Sequence, residues 1–146
     1  MPQTEDSFDN FVEKLQQEII EKEINDFNEN IVNLSQNPKN WGKPSSFTIS
    51  NSSKGSHKEM MEFYLTIDNG IIKKANFFTD GCGATVATGS QTTLLIEGKS
   101  LEYAENLKSK DINLALNGLP EDHKHSLELA VNTLKSLIRK YKSKIN

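Results

Sequence analysis

The chain has 146 residues, of which 35% are hydrophobic and 25% charged, enough apolar content for one compact domain and too much for disorder throughout. A net charge of −3 gives no electrostatic footprint for nucleic acid, and no apolar run approaches the roughly 20 residues that span a membrane. The single cysteine, Cys82, cannot form an internal disulfide, and the opening "MPQTEDSFDN" has no basic stretch followed by an apolar one, so the expected setting is cytoplasmic.

In chain order, Phe8, Phe11, Val12, Leu15, Ile19, Phe27 and Ile31 follow three- and four-residue steps, which predicts a long amphipathic N-terminal helix within residues 1–36. Pro38, Gly42 and Pro44 end it. A short strand, Phe47 to Ser50, then sits inside a Ser- and Gly-rich stretch, and residues 45–58 are expected to be the mobile part of the chain. "EMMEFYLTI" and "IIKKANFF" flank Asp68-Asn69-Gly70, a strong hairpin signal that puts Met61, Phe63, Leu65 and Ile67 on one face. The small residues of "CGATVATGSQTTLLIEG" suit a tightly packed helix ending near Gly98. A short helix capped by Ser100 follows, then one with Asp111 as candidate cap and Gly118 as stop. Pro120 opens the last helix, whose apolar stripe is Leu127, Ala130, Val131, Leu134, Ile138 and Tyr141. Helix, small antiparallel sheet, then helices is an α+β domain occupying residues 1–146.

Cys82 lies between two glycines where strand gives way to helix. There it is either a small buried apolar residue at a turn, or a thiolate favoured by the positive end of the helix and open to approach beside Gly81 and Gly83. His57 and Glu59, two residues apart before the hairpin, would point the same way on an extended chain, and His123 and His125 stand near the start of the last helix. Taken singly, each is an ordinary solvated side chain. Together, imidazole, carboxylate and thiolate form a donor set that suits zinc or iron.

The segments "IDNGIIKKANFFTDGCGATVATGSQTTLLIEGKSLEYAENL" and "LALNGLPEDHKHSLELAVNTLKSLIRKYK" resemble the IscU family of iron–sulfur cluster assembly scaffolds, which includes the N-terminal domain of NifU. "NPKNWG" is similar to the entry segment of that family. The resemblance implies a small sheet of about three antiparallel strands packed against helices, a labile [2Fe–2S] cluster, iron or zinc as cargo, and a scaffold role without catalysis. It also implies a cysteine desulfurase and apo iron–sulfur acceptor proteins as partners.

That family holds its cluster or zinc with three cysteines, an aspartate and a histidine. The resemblance puts His57 at the first cysteine, Glu59 at the aspartate, Cys82 at the second cysteine and His125 at the histidine, with Ser45 or Ser46 as an alternative for the first. The third cysteine, which accepts persulfide sulfur, is Ser126 here, and a hydroxyl cannot hold sulfane sulfur as a thiolate does. "LPEDHK" replaces the "LPPVK" read by a specialised Hsp70 partner, which is therefore not expected. Three readings follow: a divergent scaffold or assembly accessory; a metal-binding or regulatory module that kept the fold; and a thiol enzyme in which His57 or His125 activates Cys82. A homodimer sharing a cluster between two Cys82 residues is compatible with a single thiol per chain.

Overall fold

The computed structural model describes residues 27–145. Within them lie α1 (Glu29–Gln36), β1 (Ile49–Lys54), β2 (Met60–Asp68), β3 (Ile71–Thr79), α2 (Gly83–Ile96), α3 (Leu101–Glu105), α4 (Ser109–Ala115), a 3₁₀ turn (Glu121–His123) and α5 (His125–Ile145). The three strands form one antiparallel sheet in the order β1-β2-β3. The α+β expectation is met.

Most of the predicted N-terminal helix lies outside the described residues. Inside them it does not run through: Asn28 is extended (φ −70°, ψ 165°), and its side chain accepts the Ile31 N–H at 3.0 Å. An asparagine that can bond the backbone ahead of it competes with the helix, so α1 starts afresh at Glu29. The same side chain donates to the carbonyls of Leu116 (2.8 Å) and Gly118 (3.2 Å), tying α1 to the end of α4.

The hairpin forms where Asn-Gly predicts it. Asn69 (φ 51°) and Gly70 (φ 76°) both take the left-handed conformation of a tight turn whose twist matches the strands. Met61, Phe63, Leu65 and Ile67 share the buried face of β2. On β3 the alternation breaks at Lys73, which is left without a partner because Thr66 pairs with Lys74 and Ile67 with Ile72. The bulge lets Ile72 and Ala75, three residues apart, both face the core. Beyond the hairpin, β1 runs Ile49–Lys54, starting two residues later than the expected Phe47 and ending four later than Ser50, and "ISNSSK" pairs residue by residue with β2.

Helix α2 packs on β3, and α5 packs on β1 and β2. Its small side chains let α2 come close: a Cβ on Gly89 would stand 2.4 Å from the Phe77 ring. Buried threonines return their hydroxyls to the helix, Thr88 to the Ala84 carbonyl and Thr92 to that of Thr88, each at 2.7 Å, so none is left unpaired. Ser100 caps α3 as expected, accepting the Tyr103 N–H at 3.0 Å. Asp111 is not the first cap of α4 but sits one turn in, where its carboxylate accepts the Lys108 N–H at 2.9 Å. Pro120 opens the 3₁₀ turn, and α5 begins only at His125. Among the described residues no helix is long and apolar enough to cross a membrane.

Candidate metal site

Three chain turns meet at one end of the sheet. The first joins β1 to β2. There the Gly55 N–H donates to the Glu59 carbonyl (2.7 Å), the Lys58 N–H donates to the Gly55 carbonyl (3.1 Å), and Lys58 takes a left-handed φ of 68°. His57 and Glu59 are therefore brought together by a tight turn with a strained residue between them, not by the extended alternation expected from their spacing. His57 is exposed, whereas Glu59 is only 9% exposed.

The second turn leads from β3 into α2. Asp80 accepts the Met60 N–H at 2.8 Å, and the Thr79 hydroxyl donates to the Met60 carbonyl at 2.5 Å while accepting the Gly81 N–H at 3.1 Å. These bonds place Cys82 at the N-cap of α2 with its side chain free of any capping bond. The thiol is exposed rather than buried, at the positive end of a 14-residue helix. Its Sγ lies 3.7 Å from Thr85 Oγ1 and 3.9 Å from His123 Nδ1.

The third is the 3₁₀ turn before α5. It presents His123, whose ring lies 4.9 Å from that of Phe27, and then His125, whose ring lies 3.8 Å from that of His57. The His125 Nε2 is 3.6 Å from Glu59 Oε1. Nitrogen or oxygen atoms of His57, Glu59 and His125 all lie within 4.8 Å of one another. Glu59 Oε1 is buried without a hydrogen-bond partner. A carboxylate oxygen withdrawn from water without a hydrogen bond is costly, and a bound cation or a protonated His125 beside it would offset that cost.

The turns enclose a cavity of about 420 Å³ whose lining includes His57, Glu59, Cys82, Asp122, His123 and His125. All four residues expected from the sequence reach this cavity. His57, Glu59 and His125 form one group; Cys82 stands outside that group, beside His123. Ser45 and Ser46 do not line the cavity. Neither does Ser126, which is fully buried with its hydroxyl 2.9 Å from that of Thr85. Two imidazoles, a carboxylate and a thiolate suit ferrous iron, zinc or an iron–sulfur unit, in which imidazole can replace thiolate on iron.

Residues 26–146 match the NifU-like N-terminal domain family. The chain is 34% identical over 126 residues to the iron–sulfur cluster assembly scaffold protein IscU of Escherichia coli K12, covering 81% of this chain and 95% of that one. It is 34% identical over 116 residues to the iron–sulfur cluster assembly protein IscU of Plasmodium falciparum, covering 80% of this chain and 67% of that one. In three dimensions it is similar to the N-terminal part of a NifU-like protein from Brucella abortus, with a TM-score of 0.63, 17% identity, and coverage of 83% of this chain and 97% of that one. It is similar also to FiSufU of Fervidobacterium islandicum AW-1, with a TM-score of 0.62, 18% identity, and coverage of 79% and 98%. Sequence and architecture agree, and the chain belongs to the NifU-like N-terminal domain family.

Proposed function

We propose that this chain is an iron–sulfur cluster assembly scaffold, a carrier and not an enzyme, whose cavity holds iron, a labile [2Fe–2S] cluster or zinc through His57, Glu59, Cys82 and His125. The observation that carries the reading is Glu59 Oε1, buried and unpartnered, facing two imidazoles in a cavity that also receives the thiol of Cys82. The relatives named as scaffolds supply the role. In that role a cysteine desulfurase delivers sulfur, apo iron–sulfur proteins receive the cluster, and the setting is cytoplasmic. With one thiol per chain, a homodimer that shares a cluster between two cavities is one way to complete its ligands.

Anaerobic reconstitution tests this, with iron, zinc and acid-labile sulfide measured in the parent, Cys82→Ser and Glu59→Gln. Iron and sulfide bound together by the parent, and lost in both variants, are expected. Equal amounts in all three proteins would remove the site.

A second reading, a metal-binding or regulatory module that kept the fold, is favoured by Ser126. Its hydroxyl is bonded to Thr85 inside the protein and has no access to the cavity, so sulfur cannot enter by that position. Zinc or iron without sulfide after reconstitution would select this reading over the first.

A further inference from the structure

Cys82 and His123 form a pair that the four-residue ligand set does not explain. When one ion binds a thiolate at about 2.3 Å and an imidazole at about 2.0–2.1 Å with tetrahedral angles, sulfur and nitrogen lie roughly 3.5 Å apart. Cys82 Sγ and His123 Nδ1 stand 3.9 Å apart, close to that spacing and long for a hydrogen bond. Phe27 packs against the His123 ring and holds it there. Across the cavity, His57, Glu59 and His125 form a compact group of their own that excludes the sulfur. The rings of His123 and His125 are 6.4 Å apart, against 3.8 Å for His57 and His125, so the donors fall into two clusters.

From this geometry we infer that the cavity is built as two metal half-sites. One ion sits on His57, Glu59 and His125, and a second sits on Cys82 and His123. The inference rests on the reading of the cavity as a metal site and adds His123 as a ligand. Metal pairs in proteins lie about 3.5–4 Å apart, and the rings of His123 and His125, one from each cluster, are 6.4 Å apart. Charge agrees as well: Glu59, Asp80 and Asp122 line the cavity against Lys58 as its one lysine or arginine, a balance suited to divalent cations. On binding, the thiol gives its proton to solvent and sulfur becomes the ligand.

Anaerobic titration with cobalt(II) of the full chain tests the inference, because a sulfur-to-cobalt charge-transfer band reports thiolate ligation separately from stoichiometry. Two equivalents are expected in the parent, with the band saturating on one of them. His123→Ala should weaken that equivalent by about tenfold or more and leave the other in place; Cys82→Ala should abolish the band with the same loss. One equivalent in the parent would overturn the inference, as would two equivalents with an unchanged band in His123→Ala. Failure of the scaffold reading is seen elsewhere, in iron and sulfide after reconstitution, and leaves the cobalt count unaffected.

Discussion

Ser126 Oγ and Thr85 Oγ1 lie 2.9 Å apart in the interior and join α5 to α2 at the wall of the cavity, which Thr85 lines and Ser126 does not. Ser126→Ala removes one partner of a buried hydrogen bond and should cost about 1 kcal/mol, since Thr85 keeps its contact with Cys82. Ser126→Cys should add a thiol that reacts slowly, at the rate of local opening, beside the fast exposed thiol of Cys82. Urea unfolding and timed alkylation with mass spectrometry read the two effects. Two equally fast thiols would show that position 126 opens onto the cavity.

Lys58 stores backbone strain. Its φ of 68° between His57 and Glu59 suits glycine, so Lys58→Gly should stabilise the metal-free protein by up to about 1 kcal/mol, read as a higher urea midpoint at constant slope. Lys58→Pro, which fixes a negative φ and removes the N–H bonded to Gly55, should lower stability and abolish zinc binding by calorimetry.

Glu59 should set stability against binding. Glu59→Gln removes a charge from a buried position without a bonded partner, so the metal-free variant should melt at or above the parent's temperature. In the parent, zinc at a hundred times its dissociation constant should add about 2.7 kcal/mol, and most of that gain should vanish in the variant. The core under the sheet is built of buried apolar side chains, so chelation should lower the melting temperature by only a few degrees and preserve the far-ultraviolet helical signal. Scanning calorimetry with and without zinc checks all three outcomes.

Tyr64 gives an alkaline limit. Its phenol is pushed up from 10.0 to about 12, first by burial, then by its hydrogen bond to Glu62 and the charge of that carboxylate. The group is raised in the folded state, so its contribution is fully present below pH 10 and is lost as pH rises through 12. The loss is of order 2 kcal/mol. Tyr64→Phe should be less stable than the parent at pH 8, and the difference should shrink between pH 10 and 11.5 in urea unfolding. A constant difference across that range would refute the assignment.

Where one local rule decided the outcome, the sequence was readable: Asn69-Gly70 demanded a tight hairpin, Ser100 capped its helix, and the glycines around Cys82 marked the entry to α2. It misled where tertiary pairing outweighed propensity. "ISNSSK" is a poor strand by composition, but β2 offers it a complete ladder and α5 covers it, so β1 extends to Lys54. The candidate donors stood out in the sequence as imidazole, carboxylate and thiolate in company, and the family resemblance narrowed them to four residues. His123 was named among the donors and left out of the four because the resemblance matches His125 alone. On one continuous α-helix, residues two apart point about 200° from each other, so His123 and His125 could not both face the cavity. The 3₁₀ turn from Glu121 to His123 removes that constraint, and Pro120, read as the start of the helix, is the start of the turn instead.

The "NPKNWG" segment has a consequence for how copies of this protein meet. Phe77 donates its N–H to the Asn40 carbonyl and its carbonyl accepts from Gly42, while Ile72 exchanges backbone bonds with Gly98 and Lys99. The outer rim of β3 is thus occupied at both ends by the protein's own chain, with Trp41 packed edge-on over Phe77. The opposite rim is β1, where serine, asparagine and lysine replace the flat hydrophobic pattern that recruits foreign strands. A sheet closed on one side and polar on the other resists growth by strand addition. That keeps three strands from seeding a fibril.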